Sequence, residues 1–256
     1  MRQPNSLERM LAILGMFSED RLEWTPDQLM ERLGYSRPTL YRYLKILKEQ
    51  GMLASLPNAG YILGPKVVEM DYLLRRSDPL VLEGAGLLRE LAQRHPCTAF
   101  LVRWYRDRVL CVHSETSAPD PKSSYPRGRP MPLGRGAVAR AILAHLPRRQ
   151  LMPILERNRA EFGIADGGAD LRAVLDRLRQ VRRTGVAVAR GEITPGAVGI
   201  ATPVYDAGQS PIACICVTIA ERRAPEPVVA RIADEVRAAG RGLTAALARH
   251  RAREPA

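Results

Sequence analysis

The chain has 256 residues, enough for one large domain or two small ones, and its hydrophobic fraction of 46% suits a globular protein with a real core. No apolar run is long enough to cross a bilayer, the N-terminal MRQPNSLERM has no apolar signal segment, and four scattered cysteines with four unclustered histidines argue against a zinc site. The net charge of +12 invites a nucleic-acid reading, but residues 1–65 carry 8 Lys/Arg against 7 Asp/Glu while residues 81–256 carry 28 against 17, so local arrangement must carry that case.

The first expected element is a helix over 6–17, with Leu7, Met10, Leu11, Leu14 and Phe17 at helical spacing and Ser6 as a candidate N-cap. SEDRLEW follows as a polar loop. TPDQLMERLG (25–34) is a short helix: Thr25 and Gln28 form a capping-box pair, Pro26 takes the first helical position and Gly34 ends it. A third helix starts at Ser36, buries Leu40, Leu44 and Leu47 with Tyr43 at the border, exposes Pro38, Tyr41, Arg42, Lys45 and Glu49, and stops at Gly51. MLASLP (52–57) and YILG (61–64) are two short strands around a turn. Helix, short helix, tight turn, helix and hairpin make a winged helix-turn-helix.

Residues 66–76 form a connecting helix before Ser77-Asp78-Pro79, and the character then changes. A helix is expected over 80–95, a hairpin over 97–115 with Asp107 in its turn, and a long Pro/Ser-rich loop over 117–132. Helices follow at 135–146, closed by Pro147, at 148–157 and at 170–185. Strands at 186–190, 198–206 and 210–220 and a helix at 225–250 complete an α+β domain with a mainly antiparallel sheet flanked by helices. The expected domains are 1–65 (winged helix-turn-helix), 66–78 (linker helix) and 79–252 (effector-binding).

The helix at 36–50 has the diameter of the DNA major groove, and its N-terminal residues would meet base edges. Arg37 and Arg42 suit bidentate contacts to guanine, and Thr39 a thymine methyl or a phosphate. Tyr41 and Lys45 suit phosphates, as do the free N–H groups near Ser36. Asn58, in the turn between the short strands, is counted with them. A solvated basic face is the alternative for such a helix in isolation. The capped helix before it and the hairpin after it argue for a scaffold that presents this face.

Residues 6–74 resemble the DNA-binding half of the IclR-type bacterial transcriptional regulators in SLERMLAIL, GYSRPTLYRYLKIL, YILG and the helix after it. Thr39 and Arg42 match the family's third helix, and Pro38 stands where a serine is usual. PLGRGAVARAILA (132–144) resembles the family's P-L-H-x-T-A-x-G-K-A-x-L-A and departs from it at Gly134, Gly136, Ala139 and Arg140. EITPGAVGIATPV (192–204) matches E-x-x-x-G-x-x-x-I-A-x-P-V in full.

The resemblance implies a GAF-like effector domain that binds a small carboxylate or aromatic acid, with pocket positions at Gly136, Ala137, Gly199, Cys216 and Thr218. Cys216 and Thr218 are two apart on a strand and so share a face. Exposed N–H groups at the helix start near Gly136 would favour an anion. Arg127, Arg129 and Arg135 lie near that start in sequence, and Arg135 is the candidate partner of a ligand carboxylate. Glu192 is expected to cap or brace rather than to bind ligand.

The expected protein is a ligand-responsive transcription factor on a palindromic operator, a homodimer or homotetramer in contact with double-stranded DNA and a small organic acid. It would be cytoplasmic, with reduced thiols, no membrane contact, no metal and no cofactor. The first helix and the 66–76 connector would form the dimer contacts. No GxSxG, metal spacing or Gly-rich phosphate loop supports an enzyme. The alternative is a redox-responsive or architectural DNA-binding protein without a small effector.

Overall fold

A computed structural model describes residues 4–106, 108–117, 125–164 and 169–253. Asp107 and residues 118–124 of the expected loop lie outside the described residues. The chain divides into two compact units, one running to Ser77 and one beginning at Asp78.

The N-terminal unit contains α1 (Ser6–Leu14), α2 (Pro26–Leu33), α3 (Arg37–Glu49), β1 (Leu53–Ser55), β2 (Tyr61–Leu63) and α4 (Pro65–Ser77). Asn5, not Ser6, caps α1. The Asn5 side chain accepts the Glu8 N–H at 2.9 Å, and Glu8 accepts the Asn5 N–H at 2.7 Å. The Ser6 hydroxyl is instead bonded to the Tyr43 hydroxyl, 3.0 Å away on α3. The Thr25–Gln28 capping box on α2 forms as expected, and Gly34 closes the helix in the left-handed conformation at φ 67°. Leu40, Tyr43, Leu44 and Leu47 of α3 pack with Ile13, Trp24, Leu29 and Leu53 as one core.

The segment expected as a polar loop before α2 takes part in the wing. Trp24 and Tyr61 exchange two backbone hydrogen bonds, 3.0 and 2.8 Å, adding a third short rung to the hairpin. The Trp24 indole N–H donates to the Met16 carbonyl at 3.0 Å. α4 has no buried residue, and Val68, Met70, Tyr72, Leu73 and Leu74 are exposed on it.

The second unit runs α5 (Pro79–Arg94), β3 (Thr98–Tyr105), β4 (Arg108–Thr116), α6 (Ala137–Leu143), α7 (Arg148–Arg157), α8 (Arg159–Phe162), α9 (Ala169–Thr184), β5 (Ala187–Arg190), β6 (Ala197–Tyr205), β7 (Pro211–Ala220) and α10 (Glu226–Arg253). The sheet order is β4-β3-β7-β6-β5, with every neighbouring pair antiparallel. Strand alternation sorts side chains to two faces. Phe100, Val102, Cys111, Ala189, Ala201, Cys214 and Cys216 meet α6, α7 and α9. Leu101, Val112, Ile200, Ile215 and Val217 meet α5 and α10.

In the first unit α1 ends at Leu14, short of the expected residue 17, and two elements of the second unit also differ from expectation. The described part of the 117–132 loop lies along β4, with the Gly128 and Met131 N–H groups donating to the Cys111 and Val109 carbonyls, each at 2.9 Å. The expected helix at 135–146 shortens to Ala137–Leu143. Gly136 holds φ 87°, ψ 162°, which is not helical. At the other end the His145 and Leu146 N–H groups bond to carbonyls three residues back, a tight turn that leads into Pro147 and α7. No helix among the described residues is long and apolar enough to cross a membrane.

Candidate functional site

Two features present chemistry, one on each unit. On the first, α3 keeps one side for the core and turns Arg37, Pro38, Tyr41, Arg42 and Lys45 to solvent. Arg37 stands over the Tyr41 ring at 5.6 Å and Arg42 over the Tyr43 ring at 5.4 Å, so aromatic faces steady both guanidiniums. Lys45 lies 3.8 Å from the exposed Glu49. Ser36 is the N-cap residue but makes no capping bond; its hydroxyl donates to the Thr39 hydroxyl at 3.0 Å. The backbone start of α3 is therefore left without a side-chain cap. Asn58 is exposed in the wing turn and already engaged: its amide donates to Glu23 at 2.7 Å and its carbonyl accepts the Gly60 N–H at 3.3 Å.

On the second unit, Arg135, Gly136, Ala137, Gly199, Cys216 and Thr218 all line one cavity. The sheet register explains the convergence. Gly199 of β6 sits between Ala189 of β5 and Thr218 of β7, and Cys216 pairs with Phe100 of β3. These side chains point to the α6 face. A Cβ added to Gly199 would stand 3.6 Å from the Ala137 Cβ, so the small residues let α6 approach the sheet closely. Tyr125, Met131, Ile193 and Thr194 close the rim. The cavity volume is about 60 Å³.

Sequence reasoning missed who occupies the start of α6. Glu192 lines the cavity and accepts the Gly136 N–H at 2.9 Å through one carboxylate oxygen. The other oxygen accepts from Arg140 at 2.7 Å, and Arg140 also donates to the Val188 carbonyl at 3.0 Å. The expectation of an open N–H at Gly136 is thus corrected: the group is taken by a residue 56 positions away. The expectation that Glu192 braces the structure describes what it does here. Of the three candidate arginines, Arg135 lines the cavity, while Arg129 stands over the Tyr125 ring at 5.0 Å.

All four cysteines are buried as free thiols. Burial pushes the Cys97 thiol to about 12 and the Cys111 thiol to about 11, and raises Cys214 and Cys216 strongly as well. His145, at the end of the α6 segment, is held below its usual value by burial first and by the Arg182 charge second. No group of three His, Cys, Asp or Glu among the described residues could hold a metal ion.

Comparison with known proteins places both features in one lineage. Residues 6–57 match the IclR helix-turn-helix domain, and residues 77–245 match the bacterial transcriptional regulator IclR C-terminal domain. The chain belongs to the IclR family. Its curated relatives are regulators and not enzymes: the HTH-type transcriptional regulator XynR of Escherichia coli is 28% identical over 94% of this chain and 96% of its own length. The Pca regulon regulatory protein of Pseudomonas putida is 25% identical over 83% of this chain and 73% of its own.

Solved IclR-type structures share the fold over most of the chain. A solved IclR transcriptional regulator from a Silicibacter species superposes with a TM-score of 0.80 at 22% identity, covering 95% of this chain and 96% of that one. An IclR homolog of Microbacterium hydrocarbonoxydans, solved in complex with 4-hydroxybenzoate, gives 0.75 at 21% identity over 95% and 99%. This chain is a DNA-binding transcriptional regulator of the IclR type, and it is not an enzyme.

Proposed function

We propose that the chain responds to a small organic acid and that the acid alters its hold on a palindromic operator. The observation that carries this is convergence: three separate stretches of chain, at 135–137, 199 and 216–218, line one cavity between α6 and the sheet. Arg135 is the basic side chain on that lining and offers a fork for a carboxylate. The 4-hydroxybenzoate complex of the Microbacterium homolog favours the same class.

The DNA contacts in this account are Arg37, Thr39, Tyr41, Arg42 and Lys45, with a phosphate at the α3 start beside Ser36. Asn58 would act through the shape of the wing, since its amide is already engaged. A single α3 reads few base pairs, so two copies on symmetric half-sites are required. The apolar groups exposed on α1 and α4, Leu7, Leu11, Val68, Met70, Leu73 and Leu74, are the surface for that pairing.

The redox alternative is disfavoured by the thiols. A sensor thiol must be exposed and readily ionised, and these are buried with raised pKa values. The test is calorimetric titration of 4-hydroxybenzoate and related one-ring acids into wild type and Arg135→Ala. Binding that weakens in the variant supports the assignment. Equal affinity removes Arg135 from the site, and DNA binding that follows a thiol oxidant instead would revive the redox account.

A further inference from the structure

The cavity contains a carboxylate before any ligand arrives. Glu192 is the acidic residue on its described lining and Arg135 the basic one; the other lining side chains are uncharged. Glu192 is held at both oxygens, by the Gly136 N–H and by Arg140. Arg140 is in turn anchored to the β5 backbone through Val188, so its guanidinium stays in position independently of Glu192. Gly136 is at φ 87°, and a Cβ there would stand 2.7 Å from Ile193 Cγ1. Residue 136 cannot supply its own capping side chain, and the contact falls to Glu192.

We propose that Glu192 is the resident anion of a cradle made by Gly136 and Arg140, and that it sets the charge specificity of the cavity. This rests on the effector reading above. The effector's carboxylate is received at Arg135, while the Glu192 end refuses a second carboxylate and accepts a neutral or hydrogen-bond-donating group. Two carboxylates brought together repel, and Glu192 is only partly exposed, so the repulsion is screened less than in open water, while the Gly136 N–H and Arg140 are already engaged by Glu192. The favoured effector class is therefore a monocarboxylate with a neutral or hydroxyl-bearing far end, not a dicarboxylate.

The full-length protein, Glu192→Gln and Glu192→Ala are titrated with 4-hydroxybenzoate and with terephthalate, which replaces the hydroxyl by a second carboxylate. Gln keeps an acceptor for the Gly136 N–H and removes only the charge. Wild type should prefer 4-hydroxybenzoate, and in Glu192→Gln the affinity ratio should move toward terephthalate by about tenfold or more. A ratio unchanged in both variants overturns the proposal. A second arm uses formate alone: it should raise the melting temperature of Glu192→Ala by filling the vacated cradle, with no such rise in wild type. Equal formate response in both forms overturns the cradle. If neither aromatic acid binds wild type, the effector reading falls, and the formate arm decides the cradle by itself.

Discussion

The starts of α3 and α6 make an instructive pair. Both lack a cap from their own N-cap residue. At α3 no described residue replaces it: Ser36 bonds sideways to Thr39, and the helix start is exposed beside Arg37. At α6 one start donor, the Gly136 N–H, is taken by Glu192, two residues past the end of β5. The unpaired backbone donors of a helix start attract anions in either case. What separates the two is whether the protein brings its own anion. The first start is exposed and uncapped, as the proposed phosphate contact requires. At the second, the Gly136 N–H already carries the protein's own carboxylate, so an incoming acid there needs another group, and Arg135 is the basic one on the cavity lining.

The comparison can be broken in several places, beginning with the scaffold that presents α3. Leu40 is fully buried, and Leu40→Ala should destabilise the N-terminal unit by about 2–5 kcal/mol. Denaturant unfolding checks this, and a variant as stable as wild type would mean that α3 does not pack as described. Arg42 is exposed and meets the core through the face of the Tyr43 ring, so Arg42→Ala removes no buried side chain. It should lower specific DNA affinity by about 1–3 kcal/mol with little change in melting temperature. A footprint identical to wild type would remove Arg42 from the recognition surface.

At the α6 start, Gly136→Ala forces a side chain into φ 87° and against Ile193. It should cost roughly 1–3 kcal/mol in thermal unfolding. No loss would mean that the backbone relaxes freely there. Removing each helix start's neighbour then gives the sharpest contrast. Glu192→Ala should cost about 1 kcal/mol, as loss of a cap does, while Ser36→Ala should stay within about 0.5 kcal/mol because Ser36 caps nothing. Equal costs would erase the distinction between the two starts.

What the amino-acid sequence made legible follows the range of the forces involved. The α2 boundaries were readable because Thr25, Pro26, Gln28 and Gly34 act within a few residues of one another. The three closing strands were expected at 186–190, 198–206 and 210–220 and form within a residue of those bounds, and their register brings Gly199, Cys216 and Thr218 to one face. Longer-range choices were not readable. Asn5 and Ser6 can both cap a helix, and the choice between them is settled by Ser6 reaching Tyr43 on another helix. Trp24 looked like loop because its strand partner, Tyr61, lies far along the chain. The open N–H expected at Gly136 was wrong for the same reason, since nothing near residue 136 signals Glu192. Its place at the head of a matched motif was the one available hint.

The central claim is that occupation of the cavity governs DNA binding by α3. Its most direct test is fluorescence anisotropy on an operator recovered by selection from random DNA, with and without a panel of one-ring carboxylic acids, for wild type and Arg135→Ala side by side. The account predicts that at least one acid shifts the operator Kd several-fold in wild type, a typical size for coupling between two sites, and that the shift is lost in Arg135→Ala while the ligand-free Kd is unchanged. A shift of the same size in both proteins, or no shift with any acid, would contradict it.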